Sequence, residues 1–323
     1  MREKARKKKT GICTFTTFLT VLVMAAVVYR FMIIPENNQN SEKESGDSST
    51  PAPRSVEHDF NISISPDKLN SSNAILIRLK DNTVLMQKNS EEKIYPASLT
   101  KMMTAIVAIE NLHDLNEKIK LTESMFKRLY EANASMAGFQ PGEQARAIDL
   151  LYGVMLPSGA ECCIALADHI AGSEQNFVKL MNQKAKALGM KNTHFENTTG
   201  LHNKNHYTTV KDMAVLLSYA LQNDTFRETF TTFRHSTPPT NKHPGGITYY
   251  STLYERLGNQ SIIDGQILGG KTGYTDEAGL CLASLAKVGK QEYILITAGA
   301  EGDNKSEQYN IIDAIKVYNS IGK

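Results

Sequence analysis

The sequence predicts an α/β domain in which strands from the two ends of the chain share one sheet, with a helical region inserted between them. Three observations carry this. Segments 74–79 and 83–87 are apolar, strand-like runs on either side of Lys80-Asp81-Asn82, a hairpin signal. From about 122 to 221 the apolar spacing is largely helical. From 268 the pattern returns to strands (268–275, 279–288 and 292–300), and 307–318 then reads as a closing helix. No internal repeat is present.

The first ten residues are a basic tail. Residues 1–9 hold six cations and one acid, +5, so the remainder nets −3 against a total of +2. The body has no basic excess, which argues against a nucleic-acid partner. Residues 11–34 form an apolar span interrupted only by Arg30, long enough to cross a bilayer. The preceding cations set its N-terminus on the cytoplasmic side and the rest of the chain outside. A cleaved signal peptide is the competing reading. An uncleaved anchor fits better, because no small-x-small site follows the apolar run and a signal peptide's core is usually shorter. Residues 35–65 are rich in Asn, Ser, Glu and Pro and read as a flexible linker. The folded domain is expected over 66–323.

After the first hairpin, Pro96 and Ser98 are helix-start signals. Met102, Met103, Ile106, Val107 and Ile109 then give an apolar face. Ser98 and Lys101 are three apart, so on a helix they lie side by side. A serine needs a neighbouring base before it is a useful nucleophile, and a neutral lysine can be that base. The S-x-x-K pattern also begins at Ser65, Ser90, Ser124, Ser284 and Ser320. Only the Ser98 copy sits at a Pro-flanked start and runs into an apolar helix.

Residues 149–156 and 161–171 are two apolar-faced helices broken by Pro157-Ser158-Gly159. Further helices fall at 176–188, stopped by Gly189, and at 209–221. In the closing helix Ile311, Ile312, Ile315 and Tyr318 share a face. Gly289-Lys290 is a hairpin turn between the last two strands. The cysteines are Cys13, Cys162, Cys163 and Cys281. The adjacent pair lies in an apolar run and reads as small buried hydrophobes, with no zinc or disulfide spacing.

Ser158-Gly159, on the loop between two helices, offers a second hydroxyl. Lys271-Thr272-Gly273, on a strand-like run, offers a second cation beside a glycine that permits close backbone approach. The order S-x-x-K, S-G-x, K-T-G is the signature of active-site-serine penicillin-recognising enzymes. From about 73 to 318 the chain resembles the serine D-alanyl-D-alanine carboxypeptidases, the low-molecular-mass penicillin-binding proteins of peptidase family S11. The likeness extends to Leu156-Pro157-Ser158-Gly159, Ala165-Leu166-Ala167-Asp168, Asn197-Thr198-Thr199-Gly200-Leu201 and Lys271-Thr272-Gly273-Tyr274-Thr275. Among these it is most similar to the accessory D,D-carboxypeptidases of vancomycin-resistance clusters.

The resemblance implies a serine β-lactamase/D,D-peptidase-like fold. That is a mainly antiparallel sheet from N- and C-terminal strands, with helices on both faces and an inserted helical subdomain. It implies Ser98 as nucleophile and Lys101 as base, with burial and the Lys271 cation lowering the Lys101 pKa. Ser158, helped by Lys271, would return the proton to the leaving amine. The N–H groups of Ser98 and Tyr274 would form the oxyanion hole beside Gly273, and Thr272 would bind the terminal carboxylate. Stem peptides ending in D-Ala-D-Ala are the implied substrates and β-lactams the covalent inhibitors. No cofactor or metal is implied.

This chain departs from the family pattern in three ways. Ala160 stands where the second motif usually ends in Asn. Losing that amide implies slower acylation, or an altered preference between D-Ala-D-Ala and its D-lactate ester analogue. Many members carry an Arg after the third C-terminal strand to hold the substrate carboxylate, but here Lys305 is the only cation between 300 and 308. Many also carry a further β-rich domain and a C-terminal amphipathic anchor, whose place the N-terminal span would take.

Other readings are a D,D-transpeptidase, a non-catalytic penicillin-binding protein, a class A-like β-lactamase using Glu196, and a zinc peptidase using His202 and His206. The last two are disfavoured by the peptidase-like context of Glu196 and by the lack of a third zinc ligand.

Overall fold

The computed structural model describes residues 62–322. The basic tail, the apolar span at 11–34 and nearly all of the 35–65 linker lie outside them. The last linker residues are part of the fold, since Ile62 bridges to Ile321 and the Ser63 N–H donates to the Ser320 carbonyl at 3.3 Å. Among the described residues no helix is long and apolar enough to cross a membrane.

The five-stranded sheet is built from β1 (Asn73–Arg78), β2 (Thr83–Lys88), β7 (Gly265–Thr275), β8 (Gly279–Val288) and β9 (Gln291–Ala300). Its order is β2-β1-β9-β8-β7, and every pairing is antiparallel. The N-terminal hairpin therefore docks on the last strand, with Ala74 opposite Thr297 and Leu76 opposite Leu295.

Side chains alternate across a strand, so a strand apolar at every position must be covered on both faces. Ile75 and Ile77 of β1, Ala283 and Leu285 of β8, and Ile294 and Ile296 of β9 point to one core. Leu76, Leu282 and Leu295 point to the other. The first core is filled by α1 (Thr100–Asn111), α3 (Ala147–Met155), α4 (Ala160–Ala171), α5 (Glu174–Ala187) and α6 (Val210–Ala220), with α2 (Ser124–Glu131) and α7 (Asp224–Thr231) beside them. The second is filled by the short α8 (Thr252–Leu257) and by α9 (Tyr309–Asn319). Two three-residue hairpins complete the chain: β3 (Lys118–Lys120) with β4 (Gln144–Arg146), and β5 (Arg234–Ser236) with β6 (Thr248–Tyr250).

Helix ends follow local chemistry. Ser173, Thr209 and Asn223 cap α5, α6 and α7, each accepting the N–H three residues on. Gly172 ends α4 in the left-handed conformation. In α9 the buried face differs from the expected one. Ile311 and Tyr318 are buried with Ala314 and Val317, whereas Ile312 and Ile315 are only half-buried. Buried polar ties fix this helix. Asp313 accepts the backbone N–H groups of Asn70 (3.0 Å) and Ser71 (2.7 Å) and the Ser71 hydroxyl (2.8 Å), and the Tyr318 hydroxyl meets that of Ser284 at 2.9 Å.

Candidate active site

Ser98 does not cap α1. It lies in a 3-10 turn, Ala97–Leu99, that feeds directly into the helix. Residues Thr100 to Ala108 are all buried, so α1 is the helix around which the first core packs rather than an amphipathic surface helix. Burial on every side is what brings Lys101 inside. It is 2 % exposed, and its Nζ donates to Ser98 Oγ at 3.1 Å and to the Thr199 carbonyl at 2.6 Å. Burial pushes its pKa below the usual lysine range, against the opposing pull of Cys163 and Glu161.

The turn carrying Ser98 is held by two close approaches. Gly273 of β7 packs on it, where a Cβ would stand 3.1 Å from the Ser98 nitrogen. Gly200 packs from the other side. Ala97 and Ser158 both have positive φ, +46° and +66°, an unfavourable conformation for residues with a Cβ.

The second hydroxyl and the second amine are brought together. Lys271 is fully buried on β7, and its Nζ donates to Ser158 Oγ and to the Thr272 carbonyl, both at 2.9 Å. Its pKa is pushed well below the lysine range, first by burial and then by the charge of Lys101. Of the two causes expected to lower the Lys101 pKa, burial acts there, whereas the repulsion between the amines is felt at Lys271. The charge of Lys101 thus disfavours a proton on Lys271.

The cleft encloses about 510 Å³. Ser98, Lys101, Ala160, Thr199, Tyr274 and Asn304 are among its walls. Ser158, Lys271, Thr272 and Gly273 stand behind that surface. The Thr272 hydroxyl meets that of Thr252 on α8 at 2.7 Å. Lys305 is not among the lining residues. It is exposed, its backbone N–H turns to Asp303 Oδ1, and its neighbour Asn304 lines the cleft instead.

Two supports escaped sequence reasoning. The 198–200 wall is organised by Asn197, whose Oδ1 accepts the N–H groups of Thr199 (3.2 Å) and Gly200 (2.7 Å). It is also organised by Glu174, which accepts from the Thr198 N–H and hydroxyl. Glu161, fully buried, gathers the N–H groups of Ala137, Gly138 and Phe139 on one oxygen and so fixes the chain beyond the opposite wall. A buried acid just after the Ser158-Gly159 break was the available signal.

The residues of the other readings are engaged elsewhere. The Glu196 carboxylate meets His194 at 3.1 Å and is not among the lining residues. His206 is buried against Thr100, while His202 faces Glu277 at the cleft lip. Among the described residues no group of three or more His, Cys, Asp or Glu is placed to hold a metal ion. Cys162, Cys163 and Cys281 are free and buried.

The fold and site define a protein of the penicillin-binding, D,D-peptidase class, with a serine beside a buried lysine and a second serine–lysine pair behind it. Residues 61–302 match the peptidase S11 family, D-alanyl-D-alanine carboxypeptidase, and the chain belongs to that family. It is 36 % identical over 234 residues to the D-alanyl-D-alanine carboxypeptidase DacF of Bacillus subtilis, covering 71 % of this chain and 57 % of that protein. It is 35 % identical over 252 residues to DacC of Escherichia coli, covering 72 % and 58 %. The chain thus spans somewhat over half the length of these relatives. Its fold matches the Streptomyces K15 DD-transpeptidase with a TM-score of 0.71 at 28 % identity, covering 79 % of this chain and 98 % of that one.

Proposed function

We propose that this protein is a serine D,D-carboxypeptidase that removes the terminal D-Ala from peptidoglycan stem pentapeptides. The observation that carries this is the 3.1 Å bond between Ser98 Oγ and the amine of a lysine that is 2 % exposed. Burial lowers the pKa of this amine below the usual lysine range, which favours the neutral form that can take the serine proton.

In this reading Ser98 Oγ attacks the carbonyl of the penultimate D-Ala as its proton passes to Lys101. The developing oxyanion is held by the N–H groups of Ser98 and Tyr274. The C–N bond breaks, and the leaving D-Ala amine takes a proton through Ser158, kept in place by Lys271. Water then attacks the acyl-serine, returning the Ser98 proton and releasing the shortened peptide. A β-lactam would enter the first step and remain as a stable acyl group.

A transpeptidase is the second reading, favoured by the fold likeness to a protein described as a DD-transpeptidase. It shares the acyl-enzyme and differs in the acceptor, an amine in place of water. Further parts of the proposal rest on sequence: membrane anchoring through residues 11–34, an extracytoplasmic catalytic domain, and a contribution to glycopeptide resistance by trimming D-Ala-ending precursors. Deleting the gene should then lower glycopeptide tolerance; unchanged tolerance counts against that role.

The test is D-alanine release from a D-Ala-D-Ala pentapeptide by the 323-residue chain beside Ser98→Ala, with and without an amine acceptor. Release by the wild type alone supports the carboxypeptidase. Release that needs the acceptor supports the transpeptidase. A penicillin adduct without any release points to a binding protein.

A further inference from the structure

A carboxypeptidase must recognise a free carboxylate; neither Lys305 nor Arg256 is itself among the residues lining the cleft, but Lys305 is exposed, whereas the half-buried Arg256 is bonded to the lining residue Asn304. The structure assigns that task to Arg256, on α8, an element that sequence patterning did not mark; the assignment rests on the carboxypeptidase reading above.

Four observations point to it. First, α8 is bolted to β7, the strand that carries Lys271 and Thr272. Leu253 packs at Gly270, where a Cβ would come within 2.8 Å of its side chain, and the Tyr254 hydroxyl donates to the Leu268 carbonyl at 2.6 Å. Second, the Thr252 and Thr272 hydroxyls meet at 2.7 Å, and Arg256 lies four residues after Thr252, on the same helix face. Third, Arg256 Nη2 donates to Asn304 Oδ1 at 2.6 Å, and Asn304 lines the cleft. Fourth, Arg256 is half-buried, and among the described residues no carboxylate lies within ion-pair distance of it, the adjacent Glu255 acting on it only through its charge. It is also near enough to Lys271 for its charge to help lower the pKa of that amine.

A guanidinium offers five donors in a planar fork suited to a carboxylate. Here one corner is taken by an amide oxygen at the cleft rim, and the other donors have no protein carboxylate to serve. We infer that the substrate's C-terminal carboxylate binds between Arg256 and the Thr272 hydroxyl, drawing Arg256 away from Asn304. Arg256 is thus a substrate-binding residue that selects for a free C-terminus.

The test compares a D-Ala-D-Ala peptide with its C-terminal amide, using the full chain and the Arg256→Ala, Arg256→Lys and Lys305→Ala variants. Melting temperature is followed in parallel. Arg256→Ala is expected to lower kcat/KM for the acid about 100-fold and to leave the amide within about threefold. Arg256→Lys should recover part of the loss, because a point charge replaces the fork. Lys305→Ala should change neither substrate. Benzylpenicillin and its methyl ester give the same comparison for acylation of Ser98, independent of turnover.

Equal losses on acid and amide would make Arg256 a structural residue and overturn the inference. So would an unchanged acid-to-amide ratio, or a ratio that collapses in Lys305→Ala instead. If the wild type releases no D-alanine but Arg256→Ala slows acylation by the penicillin acid and leaves acylation by its methyl ester unchanged, the carboxypeptidase reading falls and the carboxylate site stands.

Discussion

Gly200 sits so tightly over Ala97 that a Cβ on it would stand 1.8 Å from the Ala97 carbonyl oxygen. Its φ of +81° also belongs to the region that favours glycine. The two residues lock the loop of Asn197 onto the turn of Ser98. Gly200→Ala should therefore destabilise the fold by about 3 kcal/mol or more and slow acylation of Ser98 beyond what the stability loss explains. Urea unfolding and labelled-penicillin acylation below the unfolding range measure the two effects. A variant within about 1 kcal/mol of wild type, acylated at the normal rate, would show that the contact relaxes freely.

In the proposed mechanism Lys101 acts only when unprotonated. Its pKa is lowered from 10.5 by burial, so the acylation rate should rise with pH and level off below that value. Lys101→Ala should acylate about 10³-fold more slowly and lose this rise. A stopped-flow pH series with a chromogenic β-lactam reads both. A wild-type profile that is flat from about pH 5 to about pH 10 would remove Lys101 from the role of base.

Ala160 is 1 % exposed, opens α4, donates its N–H to the Ser135 carbonyl at 2.8 Å and lines the cleft. An amide side chain there would give the substrate carbonyl a donor. Ala160→Asn should raise acylation roughly tenfold, or shift the preference between D-Ala-D-Ala and D-Ala-D-lactate substrates. Identical rates and identical preference would dismiss the position as a determinant.

His206 is 2 % exposed, and its Nδ1 accepts the Glu196 N–H at 3.4 Å, which leaves the proton on Nε2 facing Thr100 Oγ1 at 2.9 Å. Burial lowers its pKa from 6.5 to about 4, with His194 and His202 acting in the same direction. The unfolded chain takes up this proton near pH 6.5 and the folded one only near 4. The stabilisation is therefore complete above pH 6.5 and lost as pH falls through 4, a swing of about 3 kcal/mol. His206→Gln should unfold at nearly the same urea concentration as wild type at about pH 4, but earlier at about pH 7.5. A constant gap between the two proteins across that range would contradict the assignment.

What could be read from the sequence was what short spacing encodes. Ser98 and Lys101 are neighbours on one helical turn, and Ser158-Gly159 and Lys271-Thr272-Gly273 sit at a helix break and on a long strand, so local pattern located them, while their order and the family resemblance gave them their roles. The β7, β8 and β9 strands were legible for the same reason, each being ten or more residues long. The six-residue strands β1 and β2 were legible through the turn between them, but β3, β5 and α8, three to six residues long without such a signal, are too short to show a period, and Arg256 was hidden with α8. Glu174 works through tertiary hydrogen bonds to Thr198, which leave no trace in spacing, whereas Asn197 bonds locally to Thr199 and Gly200 within a run that the family resemblance had already singled out. Ile312 and Ile315 match the helical period as well as Ala314 and Val317 do. Docking on β8 and β9 chose the smaller pair.

The pairing of Ile62 with Ile321, and the clamp of Asp313 on Asn70 and Ser71, have a mechanical consequence. Tension reaching the domain at residue 62 is met by the far end of the same domain. It passes into α9 and, through the Tyr318–Ser284 bond, into the middle of the sheet. That path runs over the sheet face opposite α1, so a pull on the domain strains the closing helix before it strains the turn that holds Ser98.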